Sequence, residues 1–206
     1  MVDWTPININ SKLLRIVAQV SGRVFIGLDL CREEDWITTT IQFTLDVFAG
    51  AQAIKKWRPW LRPFVYRFIP ELRRLYQLKK NARRFMVPVL KARKEAQLKE
   101  DYQKPDNFLQ WLDNRATRFD AKSLENQTSI QLSLSLAAIH TTTGTCTHAL
   151  YDLAAHPEYI QPLREELRMV LHENGGVFGN TTMSKLKKLD SFMKESFRVN
   201  PPGLSK

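Results

Sequence analysis

A run of small and hydroxyl side chains in the middle of the sequence, Ala137-Ala-Ile-His-Thr-Thr142, has the residue types of a ligand contact. Ala137 and Ala138 precede Thr141 by four and three residues, so all three share one face of a helix. Two methyl side chains beside a hydroxyl form a flat patch that a planar ligand can approach, with one polar group at its edge. A close crossing of two helices needs the same small residues. These residues alone leave both interpretations open.

A carboxylate and a guanidinium near the end of the sequence, Glu195 and Arg198, have the three-residue spacing of a helical ion pair. Glu71-x-x-Arg74 and Glu165-x-x-Arg168 have the same spacing, so spacing alone does not indicate function. Only the last pair lies between an apolar helix pattern and a double proline, Pro201-Pro202. That setting favours a rigidly held pair.

The sequence does not predict a metal site built from histidine or cysteine. No two of its four histidines have the i, i+4 spacing that places two imidazoles on one helical face, and no His-Glu-x-x-His occurs. The two cysteines, Cys31 and Cys146, do not form a Cys-x-x-Cys pair. We interpret both as ordinary thiols.

A long helix must position the central residues. From Leu124 to Ala155 the apolar and small residues alternate spacings of four and three, which predicts one continuous helix of roughly 45 Å. Thr141-Thr-Thr-Gly144 has low helix propensity, so a loosened turn is expected there. The residues of the stripe are Leu132, Leu136, Ile139, Thr143, Cys146, Leu150 and Leu153.

The rest of the 206-residue chain also has helical periodicity and no convincing strand pattern, so the predicted fold class is all-α. Pro157 suits the first position of a helix, Asn174-Gly-Gly176 suits a helix end, and Ser184 suits a cap. The other helices are predicted at 11–24, 38–54, 72–99, 107–118, 157–172 and 184–199.

Positive charge is concentrated in one quarter of the chain. The net charge is +10, and residues 51–100 carry 15 Lys and Arg against three acids. Within them, segment 55–68 interleaves aromatic and cationic residues. It fits a solvated helix face, an anionic membrane surface or a nucleic acid, but no nucleic-acid module is present, so that partner is not expected. The longest uncharged run, Asn126–Tyr151, is too polar for a membrane anchor.

Four motifs in order resemble the central helices of a cytochrome P-450. They are Ala137-Ala-Ile-His-Thr-Thr142, Leu153-Ala-Ala-His-Pro-Glu158, Leu163-Arg-Glu-Glu-Leu167 and the stretch from Lys185 to Arg198. The likeness covers essentially all 206 residues. Within the family, the sequence is similar to the fungal secondary-metabolite branch that includes ent-kaurene oxidase. Residues 1–206 are therefore expected to be the middle of a P-450 haem domain, with the long helix at its centre.

The resemblance implies a role for each singled-out residue. Thr141 would be the oxygen-activating threonine, whose hydroxyl orders a water and delivers protons beside bound dioxygen. His140 stands where many relatives have an acid, and it would either join Thr141 in proton transfer or simply be the residue that suits this branch of the family. Ala137 and Ala138 would allow close approach of the haem. Glu195 and Arg198 would be the buried ion pair that fixes the haem-side core.

The resemblance also implies a haem-dependent monooxygenase that inserts one oxygen atom into a small apolar substrate, with terpenoids as candidates. It would work with an NADPH-dependent reductase on the cytoplasmic face of the endoplasmic reticulum membrane. The family's axial cysteine lies in a Phe-x-x-Gly-x-x-x-Cys loop that this sequence lacks. The chain alone is therefore expected to bind haem weakly and to be inactive. The alternative is a non-enzymatic helical module that binds an anionic surface through residues 55–99.

Overall fold

The computed structural model describes residues 5–115, 123–179 and 181–201. Those residues are mainly helical and include no strand, which confirms the all-α class. The helices are α1 (Ile9–Phe25), α2 (Glu34–Lys55), α3 (Arg62–Val65), α4 (Pro70–Ala96), α5 (Phe108–Asn114), α6 (Leu124–Ala155), α7 (Ile160–Glu173), α8 (Thr182–Lys185) and α9 (Lys187–Val199). None of the described helices is long and apolar enough to cross a membrane.

The chain forms two compact units, residues 11–140 and residues 1–10 with 141–206. In the first unit α2 and α4 pack closely because Gly50 lacks a side chain: a Cβ there would lie 2.7 Å from Leu72 Cδ2. Trp36 stacks on Phe85 with 5.6 Å between ring centroids. The buried core of this unit contains Ile26, Trp36, Phe43, Ala82, Met86, Leu90, Leu109 and Leu132.

One proline and one asparagine set helix starts in the first unit. Pro70 occupies the first turn of α4, where its missing N–H costs nothing, and the helix continues past Pro88 to Ala96. Asn107 caps α5 by accepting a hydrogen bond from the Gln110 backbone N–H. The predicted helix 107–118 ends at Asn114 within the described residues, and its last three positions lie outside them.

Helix α6 has the predicted bounds, Leu124–Ala155. Leu132 and Ile139 of its apolar stripe are almost fully buried, whereas Leu150 is 40% exposed. The expected loosened turn is wrong, because the helix continues through Thr141–Gly144. The hydroxyls there bond within the helix: Thr145 Oγ1 donates to the Thr141 carbonyl at 2.9 Å, and Thr147 Oγ1 donates to the Thr143 carbonyl at 2.8 Å.

In the second unit a buried carboxylate starts α9. Glu166 of α7 is 6% exposed and accepts hydrogen bonds from the backbone N–H groups of Lys188 at 2.7 Å and Leu189 at 3.0 Å. The predicted cap at Ser184 is wrong, since its hydroxyl donates to the Thr181 carbonyl and α9 begins at Lys187. A carboxylate from another helix satisfies the first N–H groups instead.

Helix α7 ends where the sequence predicts a helix end. Gly175 and Gly176 have φ values of 66° and 80°, which a side chain would disfavour. The Gly176 N–H donates to the Leu171 carbonyl at 2.8 Å, which closes the last turn of the helix. Pro157 begins a short 3-10 turn, Pro157–Tyr159, and α7 starts at Ile160 rather than at Pro157 as predicted.

Candidate functional site

The small-residue patch of α6 is accessible on one side. Ala137 and Thr141 are exposed and Ala138 is half-buried, while the intervening Ile139 is 1% exposed and packs with Ala18 and Ile37. The helix therefore has one face fixed in the core and the other open. The exposed face presents two methyl groups and one hydroxyl, as the spacing predicts.

His140 lies against α2. Its ring meets the Phe48 ring edge-on at 89°, with 5.1 Å between centroids. Burial lowers the pKa of His140, and a hydrogen bond with the Thr44 backbone opposes that shift. Its Nε2 is buried without a hydrogen-bond partner in the described structure. Burial therefore favours the neutral imidazole, whose buried Nε2 has no donor within hydrogen-bonding distance among the described residues.

The two thiols have no common site. Cys31 is buried, and its Sγ donates to the Leu28 carbonyl at 3.2 Å. Cys146 is half-buried on α6, five residues after Thr141. Within residues 5–115, 123–179 and 181–201, no three His, Cys, Asp or Glu side chains meet in a group that could hold a metal ion.

Glu195 and Arg198 pair through two hydrogen bonds. Arg198 Nε donates to Glu195 Oε2 at 2.8 Å, and Nη2 donates to Oε1 at 2.6 Å. The hydrogen bond from Arg198 lowers the pKa of Glu195, and the reciprocal contact raises the pKa of Arg198. The side chains are 59% and 71% exposed, so in this chain the pair lies at the surface rather than buried as the resemblance implies.

The residue that follows Glu195 on α9 is buried and contacts the end of α6. Ser196 is 7% exposed, and its hydroxyl donates to Asp152 Oδ2 at 2.5 Å. Asn200 Nδ2 donates to both oxygens of the same carboxylate at 3.3 Å. Asp152 thus ties α9 to the end of α6. Sequence reasoning missed this contact, because no local pattern connects residues 44 or more positions apart.

A cavity of about 1010 Å³ adjoins the pair. It is lined by α7, by α9 and by the last turns of α6. Its walls include Asp152, Leu163 and Phe192 as well as Glu195 and Arg198. It is accessible to solvent in this chain. The ion pair is therefore located at the edge of an open, partly apolar cavity.

The chain matches the family model described as Cytochrome P450 over residues 3–205. It is 40% identical over 205 residues to cytochrome P450 monooxygenase braC of Annulohypoxylon truncatum, covering 98% of this chain and 41% of that protein. It is 42% identical over 204 residues to cytochrome P450 monooxygenase AN1598 of Emericella nidulans, covering 98% of this chain and 38% of that protein. The chain therefore spans about two fifths of the length of these relatives.

Proposed function

The chain belongs to the cytochrome P450 family, and from that premise we propose that it is the central part of a haem-dependent monooxygenase. The complete enzyme inserts one oxygen atom into a small apolar substrate. The observation that carries this proposal is the uninterrupted α6, which holds Ala137, Ala138 and Thr141 on one accessible face. We propose a terpenoid as the substrate, because the sequence resembles the fungal branch that includes ent-kaurene oxidase.

The described residues can form part of the wall of a haem site, but they include no suitable axial ligand for the iron. Ala137 and Ala138 let a planar group approach α6. The thiol of Cys31 is buried and bonded to a carbonyl, and Cys146 is on a helix, so neither is suited to hold the iron. In this family haem supplies oxygen binding and reduction through a cysteine thiolate. We propose that a part of the enzyme beyond these residues supplies that thiolate and that this chain alone is inactive.

Thr141 and His140 are the proposed proton-handling residues. Thr141 is on the accessible face, where its hydroxyl can bond a water and pass a proton to it. Burial favours the neutral form of His140, and its Nε2 accepts no hydrogen bond from the described protein. A neutral imidazole can accept a proton at one nitrogen and donate from the other. These properties support a relay through His140 to the threonine.

Glu195 and Arg198 have a structural role in the proposal. Their two-point pairing gives the end of α9 a fixed arrangement, and the contact of Ser196 with Asp152 fixes the helix beneath them. In the complete enzyme, further segments would cover the adjoining cavity and bury the pair. Electrons would come from an NADPH-dependent reductase, and the enzyme would work at the cytoplasmic face of the endoplasmic reticulum membrane.

The first test is to read the transcript through the codon for Lys206. We expect the reading frame to continue into a Phe-x-x-Gly-x-x-x-Cys loop. A stop codon directly after Lys206 would contradict the proposal of a haem-thiolate enzyme.

The second test compares two threonine variants of the full-length enzyme, Thr141→Ala and the neighbouring Thr142→Ala. Both positions are exposed on α6. Loss of the proton-carrying hydroxyl at 141 should lower the product formed per NADPH and raise hydrogen peroxide release, by about tenfold or more on the scale of acid–base catalysis. Thr142→Ala should retain normal coupling. Equal effects of the two variants would remove Thr141 from its proposed role.

A second function, contact with an anionic membrane surface, is favoured by the exposed aromatic residues before α4. Trp60, Phe64 and Phe68 are 65%, 69% and 73% exposed and lie among the cations of segment 55–68. Aromatic rings that enter the headgroup region and cations that meet anionic lipid give this combination a membrane affinity. Vesicles containing phosphatidylserine should retain the chain more than phosphatidylcholine vesicles, and equal retention would exclude this contact.

A further inference from the structure

A second cavity, unrelated to the α6 face, lies between α2, the turn that follows α3, and α4. Its volume is about 670 Å³, within the range of about 300–1,000 Å³ for small-molecule sites. Apolar parts of Tyr66, Leu72, Tyr76 and Leu78 line it. We propose that this cavity binds an amphiphile with an acidic head and a hydrocarbon chain, such as a long-chain fatty acid.

The residues that line the cavity belong to α2, the turn after α3, and α4, and not to α6. Asp46, which lines it, is two residues from Phe48, and positions two apart on a helix point about 160° away from each other. Phe48 contacts His140 of α6, so Asp46 faces the opposite side of α2. The cavity is thus separate from the face where oxygen chemistry is proposed, and its occupant is not the oxidised substrate.

The positive charge around the cavity favours an anionic ligand. Its lining residues include three arginines, Arg67, Arg73 and Arg74, and one acidic residue, Asp46. Asp46 is buried and holds Arg74 through contacts of 3.0 to 3.2 Å. Arg74 also lies 3.7 Å from Glu71, so its charge is fully paired, and Arg67 and Arg73 are the cavity's arginines without a carboxylate partner among the described residues.

Arg67 and Arg73 are held in place without losing their charge. Arg67 Nε donates to the Tyr66 hydroxyl at 3.0 Å, and its guanidinium lies 5.7 Å from the Tyr66 ring centroid. Arg73 Nε donates to the Arg67 carbonyl, and its guanidinium lies 6.0 Å from the Phe68 ring centroid. Among the described residues neither has a carboxylate partner, and their terminal nitrogens make no hydrogen bond.

These terminal nitrogens can donate hydrogen bonds to the oxygens of a carboxylate head. A guanidinium with its Nε already engaged still presents Nη donors that bind an oxyanion in its own plane. The hydrocarbon chain would then cover Leu72, Leu78 and the face of Tyr76. A small inorganic anion would satisfy the charges but not the apolar walls, so the structure favours an anion with a chain attached.

The binding test uses the full chain and cis-parinarate, a fluorescent long-chain fatty acid. We expect saturable one-to-one binding that the double variant Arg67→Gln/Arg73→Gln weakens by about tenfold or more, the size expected for loss of charge-assisted hydrogen bonds. The matched control, Lys79→Gln/Lys80→Gln, removes two charges from α4 outside the cavity and should bind normally. Equal weakening in both variants would mean general electrostatic adsorption and overturn the proposal.

Two further experiments distinguish the contribution of the acidic head from that of the hydrocarbon chain. Gln42→Glu adds a carboxylate at the exposed rim of the cavity. It should weaken cis-parinarate but not the corresponding alcohol, whose affinity should be low in every variant. Millimolar phosphate should not displace cis-parinarate. Displacement by phosphate, or equal affinity for the alcohol, would overturn the proposed amphiphile, and binding only to anionic vesicles would assign the arginines to the membrane surface instead.

Discussion

Residues 11–140 enclose an apolar core that includes Trp36, Met86 and Leu132, whereas residues 141–206 bury mostly polar groups where they are described. The buried positions of the second unit are Thr143, Thr147, Ala149, Glu166, Val170, Thr182, Leu186 and Ser196. Both units consist of helices with apolar residues at helical spacing. The difference shows that an apolar stripe stabilises a structure only when another element covers it.

Helix α6 has both covered and exposed apolar residues. It should therefore show the largest difference in stability between two equivalent substitutions. Leu132→Ala should lower the free energy of unfolding by about 2–5 kcal/mol, because it removes a fully buried side chain and leaves a cavity. Leu150→Ala, the same change on the same helix, should cost about 0.5 kcal/mol or less, since Leu150 is 40% exposed. Urea unfolding followed by circular dichroism measures both. Comparable losses would show that a further segment or a second molecule covers Leu150 in solution.

The second unit should depend on one buried carboxylate. Glu166→Gln replaces one of two acceptor oxygens with an amide donor that faces a backbone N–H, so we expect a loss of about 1–3 kcal/mol. Glu165→Gln, an adjacent change on the exposed side of α7, is the control and should leave stability unchanged. Thermal unfolding of the two variants decides between a specific contact and a general charge effect.

His140 should make the first unit sensitive to acid. Burial holds the pKa of His140 below its ordinary value, so the unfolded chain binds this proton at a higher pH than the folded chain. This contribution to the free energy of unfolding is fully present above the unfolded pKa of about 6.5 and is lost progressively as the pH falls below that value. His140→Gln should reduce this decline in urea midpoints measured from pH 7.5 to 5. His148→Gln, at an exposed position on α6, is the control, and an unchanged slope in the His140 variant would contradict the assignment.

The smallest effect should be at the ion pair of the second unit. Glu195→Gln should leave the thermal midpoint of this chain unchanged at physiological salt, because both partners are exposed and screened. In a full-length enzyme, where the proposal has the pair buried, the same substitution should cause a marked loss of stability and haem content. Equal effects in the two contexts would show that the remainder of the enzyme does not cover this surface.

Sequence determined what depends on neighbours along the chain. The bounds of α6, the glycine end of α7 and the three-residue pairing of Glu195 with Arg198 all follow from local spacing and backbone preference. The order of motifs likewise indicated the family, which the comparisons confirm. These features need no knowledge of what another helix supplies.

Tertiary structure decided the features that need a distant partner. Glu166 rather than Ser184 starts α9, Asp46 rather than Glu71 makes the closest contacts to Arg74, and His140 lies against Phe48. Each choice depends on which side chain another helix brings within hydrogen-bonding or van der Waals distance. Sequence spacing lists the groups that can pair, but burial and distance select among them, because a buried charge or polar group must find a partner wherever the fold places one.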